Sequence, residues 1–291
     1  MSGSIHGQKD YFIPDASPWP ITAMLAVFLM LSGTALSINR VGFGTWMLIA
    51  GFVLLAFMFY GWFGDVIRES MADRYNAQVD RSFRQGMFWF IASEVFFFLS
   101  FFGALWYIRN VAMLWLGGEG YLGESHALLW SQFSAVWPSA GPEQLGGEFK
   151  PMGPWGIPAI NTLLLLTSGA TITWAHWGLK EHNNTTLVRG LGLTIGLGFL
   201  FVLLQAYEYY HAYHALNLTL GSGAYGSTFY MLTGFHGFHV TMGAVMLTVI
   251  LVRAMKGHFT PHNHFAFEAV AWYWHFVDVV WLGLFIFVYW L

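Results

Sequence analysis

The stretch FWFIASEVFFFLSFF, residues 88–102, holds eight aromatic rings and one charged side chain, Glu94. It sits inside a longer apolar run from Gly86 to Ile108. A helix that crosses a membrane needs roughly 20 largely apolar residues. Lipid cannot satisfy free backbone N–H and C=O groups, so a run of this kind crosses as a helix. A membrane barrel would instead show short alternating segments, and this run is continuously apolar.

Working outward, the same pattern recurs. Ile21 to Ile38 follows Pro18 and Pro20, and proline suits a first helical turn, where its missing N–H would be unpaired anyway. Val41 to Gly64 has no charge, nor has Trp155 to Leu179. A further run starts near Leu187 and passes Glu208. Ala224 to Val252 holds two histidines, and Phe265 to Leu291 holds Glu268, His275 and Asp278. The reading is an all-α integral membrane protein with seven transmembrane helices. Composition agrees. The 291 residues are 56% hydrophobic and 9% charged, whereas a soluble domain carries roughly 25% charged residues. Aromatic residues make up 19%, which suits rings gathered at lipid–water boundaries. The net charge of -3 gives no ground for a nucleic-acid partner. With no cysteine there is neither a disulfide framework nor a thiolate metal site. No basic start is followed by a short apolar run, so no cleavable signal peptide is expected.

Basic residues set the orientation. With the N-terminus inside, the inner segments hold Lys9, Arg68, Arg74, Arg81, Arg84, Lys180, Arg189, Arg253 and Lys256. The outer ones hold only Arg40, Arg109 and Lys150, a positive-inside bias. Leu291 then lies at the outer face. The whole chain, 1–291, reads as one membrane domain: helices one and two over 17–66, a cytoplasmic connection over 67–85, and helices three to seven over 86–291. A long outer loop spans 110–154, and within it His126 to Trp137 is expected as a short helix on the membrane surface.

Ionisable groups inside a membrane are costly and usually face protein or a water-lined cavity. Counting 1.5 Å per residue from Arg84 puts Glu94 roughly 15 Å deep. Ionising an unpaired carboxyl there is expensive, so Glu94 is expected to be largely neutral near pH 7 or held by a partner. Two readings stay open: a proton-exchanging or lipid-contacting carboxyl, and a protonated acid bonded to a neighbouring helix. His236 and His239 share a helix face, as do His275 and Asp278. Folding the last two spans about Phe259 brings His239 to the depth of Asp278, so these two are expected to meet. Glu208 and Glu268 join the same structural polar group. Imidazole and carboxylate suit metals, but a hydrogen-bonded cluster is the reading adopted, and no metal is assigned. On the inner surface His182, His258, His262 and His264 stand beside Glu69, Asp73, Asp80 and Glu181. They read as a proton-collecting surface or as ordinary solvated loops.

The motifs argue together. SPWPITA opens at Ser17, GDVIRES spans Gly64–Ser70, and IASEVFFF begins at Ile91. PAINTLLLLTSGATITWAH follows from Pro158, then LLQAYEYYHA, YGSTFY, LTGFHGFHVTMG, and FEAVAWYWHFVDVVW from Phe267 to Trp281. The series covers nearly the whole chain, in order, and resembles subunit III of the aa3-type cytochrome c oxidases. The outer loop looks longer than in the mitochondrial form.

That resemblance implies seven helices divided by a V-shaped lipid cleft into a two-helix and a five-helix bundle. It implies a non-redox subunit of a proton-pumping oxidase that lies directly against subunit I, with subunit II and small subunits nearby. Haem and copper sit in those partners, cytochrome c is the donor to the complex, and this chain has no catalytic residue or cofactor beyond bound phospholipid. The subunit supports proton uptake and protects the catalytic subunit from inactivation during turnover. By motif match the lipid-binding residues are Trp62, Arg68 and Glu69, with Arg253, Lys256 and His258. Glu94 matches the membrane carboxyl that reacts with hydrophobic carbodiimide. Arginine suits the expected phosphate contacts because its planar fork can bind two oxygens at once. The expected location is the inner membrane of a bacterium, multi-pass, with the N-terminus cytoplasmic and the C-terminus periplasmic, rather than the mitochondrial inner membrane. The competing readings are subunit III of a quinol oxidase, which typically lacks the first two spans, an independent transporter or proton channel, and a subunit that only assembles the complex and holds lipid.

Overall fold

The computed structural model describes residues 12, 16–144 and 147–291, and Lys9 lies outside them. Among the described residues there is no strand, only a paired turn between Thr260 and Asn263. Seven helices among the described residues are long and apolar enough to cross a membrane: α1 Trp19–Ile38, α2 Gly44–Met71, α3 Ala77–Leu116, α4 Ile157–Lys180, α5 Asn184–Ala215, α6 Gly223–Met255 and α7 Phe265–Trp290. The chain divides into two compact units, one ending at Gln85 and the other running from Gly86 to Leu291, so the boundary falls inside α3.

In the first unit α2 folds back on α1. Their contact is built on small residues: a Cβ placed on Gly33 would stand 2.5 Å from the Leu48 backbone nitrogen and 2.9 Å from the Gly44 carbonyl. Helices in lipid gain little from burying apolar surface, so close backbone approach supplies the attraction. At the other end of the pair the Trp19 indole lies on Gly61 and donates its N–H to Asp65 at 2.6 Å. Large side chains such as Phe28, Trp46 and Tyr60 point outward, as lipid contact requires.

In the second unit α7 is central. Half of its apolar window is buried, against a third in α4 and α5. Trp274 is fully buried, with its ring against Gly198 of α5 and Gly243 of α6. Its N–H is given to Ser168 of α4 at 2.8 Å. One side chain thus touches three helices, and its only polar atom is satisfied, as a buried indole requires. Trp281 repeats the device with Thr162 at 2.9 Å. α3 packs differently. Its Phe97 and Phe98 meet Phe235, His239 and Phe276 through ring contacts of 5.0–6.0 Å. Bulky rings rather than glycines set the spacing there.

Several boundaries differ from expectation. α2 and α3 run on past their apolar windows, so the turn between them is only 72–76, and Asn76 caps α3 by accepting from the backbone N–H groups of Gln78 and Val79, both at 3.0 Å. α3 also continues beyond Ile108, through a π-type turn at Ile108–Ala112, to Leu116. The surface helix expected at His126 to Trp137 is instead Gly123–Leu129. Pro138 biases Trp137 away from helical backbone, and Ser131 and Ser134 favour turns. The His126 ring anchors this short helix on the Leu116 carbonyl at 2.8 Å.

Candidate functional site

Glu94 has a partner. On α3 it faces the second of the paired histidines of α6, and its Oε2 lies 2.9 Å from His239 Nε2. His239 Nδ1 stands 2.6 Å from the Phe235 carbonyl. A carbonyl only accepts, so Nδ1 carries a proton and donates it. Nε2 and the Glu94 carboxyl therefore share one further proton, which rests either on the acid or on the ring. In both arrangements the pair is neutral overall, the form a membrane interior tolerates. Phe98 and Tyr273 cover the imidazole, with ring centroids at 5.0 and 6.3 Å. Both ring nitrogens being engaged, the expected hydrogen bond between His239 and Asp278 does not form. Asp278 lies against Gly169, in the space a Cβ there would fill, with His275 Nδ1 at 3.8 Å.

The other members of the anticipated polar group stand apart. His236 is buried with Nε2 3.1 Å from the Val277 carbonyl. Glu208 is buried and accepts from the Tyr289 hydroxyl at 2.7 Å. Glu268 lies with Oε1 3.3 Å from His264 Nε2 and 3.6 Å from His176 Nε2. Helical spacing placed each residue on an inward face but could not say which neighbouring helix it meets.

Among the residues matched to lipid binding, Arg68 pairs with Asp65, and Glu69 accepts from the Tyr75 hydroxyl at 2.7 Å. Burial and the Glu69 carboxylate push the Tyr75 phenol above its ordinary range. Asp65, Arg68, Glu69 and Arg74 line a shared hollow in the first unit, and Trp62 is exposed above the same helix end. Asp65 and Tyr75 escaped the sequence reading, although Asp65 and Arg68 are three apart on one face. In the second unit Arg253 is only 8% exposed and its guanidinium lies 4.7 Å from the centre of the Phe259 ring. Lys256 is exposed. Partial desolvation and the nearby charges of Arg253 and Lys256 lower the His258 pKa.

The proposed inner surface is mixed. His182 and His262 are exposed, as expected of surface groups. His264 is not: it is 9% exposed, tucked under the Thr260–Asn263 turn with Nδ1 3.0 Å from the Thr260 carbonyl. His176, in the last turns of α4, was missed. The four-residue spacing of His264 and Glu268 was the available signal that a third group could converge there. An apolar groove on α3 and α7 is lined by Phe88, Ile91, Ala92, Val95, Phe96 and Trp272.

Comparison with known proteins decides what this arrangement belongs to. The family model described as cytochrome c oxidase subunit III matches residues 9–120 and 124–291. The chain belongs to the cytochrome c oxidase subunit III family. Proteins named cytochrome c oxidase subunit 3 from Carassius auratus and Equus caballus are 41% identical over 286 residues and 42% identical over 287. The one from Latimeria chalumnae is 42% identical over 287, and in all three the alignment covers 98% of both chains. As a member of the subunit III family the chain is a multi-pass membrane protein, and membership implies assembly into a cytochrome c oxidase complex, an oxidoreductase. These relatives come from animals, so they lend no support to a bacterial membrane.

Proposed function

We propose that this chain is the non-redox core subunit of a proton-pumping cytochrome c oxidase, where it lies against the haem- and copper-bearing subunit I and steadies it during turnover. Full-length membership in the subunit III family is the observation that carries this reading. The residue chemistry supports the non-redox part. There is no cysteine for a binuclear copper centre. His239 has both ring nitrogens occupied, and Nε2 of His236 faces a carbonyl. The presence of α1 and α2 favours a cytochrome c oxidase over a quinol oxidase, whose subunit III typically lacks them.

Phospholipid is the expected bound ligand. Arg68 is held by Asp65 at the end of α2 with its guanidinium largely open to solvent, a poise that suits a phosphate. In the second unit Lys256 and His258 offer a second polar contact at the end of α6, and the groove on α3 and α7 fits an acyl chain. Exposed His182 and His262 support a part in collecting protons at the inner face. Purification through a tag on this chain, followed by a visible spectrum, tests the assignment. Haem a absorption from copurifying subunits is expected. Recovery of the intact chain under gentle conditions with no haem protein attached sinks it.

A further inference from the structure

We propose that His176, His264 and Glu268 form a site for one exchangeable divalent cation of the zinc class. Among the described residues, these three are the group of histidine and carboxylate side chains whose donor atoms converge, all within 4.8 Å of one another. They come from two helices, His176 near the end of α4 and His264 with Glu268 at the start of α7.

The proton accounting points to a cation. His264 Nδ1 faces the Thr260 carbonyl at 3.0 Å, and a carbonyl can only accept, so that nitrogen holds the ring's proton. Nε2 of the neutral ring is then left with its lone pair. It has no hydrogen-bond partner, although the ring is nine-tenths buried, and it lies 3.3 Å from Glu268 Oε1. His176 Nε2 is also without a hydrogen-bond partner and faces the same oxygen from 3.6 Å. Two nitrogens without hydrogen-bond partners beside one carboxylate oxygen make a donor set that one cation can engage. A single proton can serve one of the imidazoles. A divalent cation can bind both and the carboxylate together.

The geometry fits. Bonds of about 2.0–2.2 Å in a tetrahedron place neighbouring donors about 3.4 Å apart. The two distances to the carboxylate already lie beside that value, and the two nitrogens lie within 4.8 Å of each other. The Thr260 carbonyl plays the orienting part that an outer hydrogen bond plays for metal-bound histidine. Three protein ligands leave a fourth position for water, as in sites where the metal exchanges. Imidazole with carboxylate selects zinc and its neighbours over magnesium or calcium.

The test uses the protein purified intact through a tag on this chain, and zinc chloride as the probe. Equilibrium dialysis is run on the unaltered protein and on His264→Gln, Glu268→Gln and His176→Asn. Loss of one zinc equivalent in each variant, or a weakening of at least about ten-fold, is the expected result. X-ray absorption should show imidazole nitrogen and carboxylate oxygen about the metal. Equal zinc binding by the unaltered protein and all three variants overturns the proposal. If a variant fails to fold, zinc-soaked unaltered protein decides: anomalous or cryo-EM density between the three side chains supports the site, and density only elsewhere, or none, overturns it. Haem copurification is scored separately, so failure of the site and failure of the oxidase assignment are distinguishable.

Discussion

The Glu94–His239 pair shares a proton that one substitution can redistribute. Glutamine at position 94 keeps an amide donor for His239 Nε2, so Glu94→Gln should assemble normally and change oxygen reduction only modestly. Glu94→Ala leaves that nitrogen without its partner at the membrane interior, a loss of about 1–3 kcal/mol. Turnover abolished in a fully assembled Gln variant would show that the carboxyl carries protons obligatorily. A hydrophobic carbodiimide reads where the proton rests, because it attacks the neutral acid. His239→Leu removes the imidazole that competes for that proton, so labelling at Glu94 should rise; peptide mapping that shows unchanged or diminished labelling defeats this account. Tyr75 gives a pH prediction with a definite sign. Its phenol is raised in the folded protein and returns to about 10 when unfolded. The contact with Glu69 therefore stabilises below pH of about 10 and is lost as pH climbs beyond it. Tyr75→Phe should flatten that alkaline loss in a melting series. Sequence alone located Glu94 as a membrane carboxyl but not its partner, because the partner lies on a helix 145 residues away. It likewise put His264 on the surface, because the turn that covers it depends on the Thr260–Asn263 pairing.

Helices were legible wherever a residue run met lipid. Each of the seven apolar windows falls on one of the observed spans, since the membrane demands both length and composition. Their polar extensions were not, because outside the hydrocarbon region a helix lasts as long as caps and local contacts hold it, as Asn76 does for α3. The loop helix was misplaced for the same reason. What sequence periodicity does not reveal is how closely two helices approach. α1 and α2 touch at Gly33, so Gly33→Val should force them apart and cost about 1–3 kcal/mol, as overpacking generally does. Detergent unfolding of the variant, followed by tryptophan fluorescence, checks this; an unchanged midpoint would mean that the contact is dispensable. α3, cushioned by phenylalanine rings, should tolerate a change such as Phe97→Leu far better than α1 tolerates valine.

At the scale of the whole molecule, phospholipid connects the proposed role to a measurable lifetime. Arg68 is largely exposed beside Asp65, so Arg68→Ala perturbs headgroup binding with little effect on packing. Combined with Arg253→Ala, it should lower the phospholipid that copurifies and shorten the active life of the oxidase. Unchanged lipid content together with unchanged lifetime would remove lipid from the account. The position of Trp274 has a consequence of another kind. Ribosomes make α7 after the six other spans, yet it is the most enclosed of the seven. Until it arrives, Gly198, Gly243 and Ser168 border a vacant slot the size of an indole. A chain halted before Phe265 therefore lacks the side chain that ties α4, α5 and α6 together, so those three helices should pack into their final arrangement only once the last span is made.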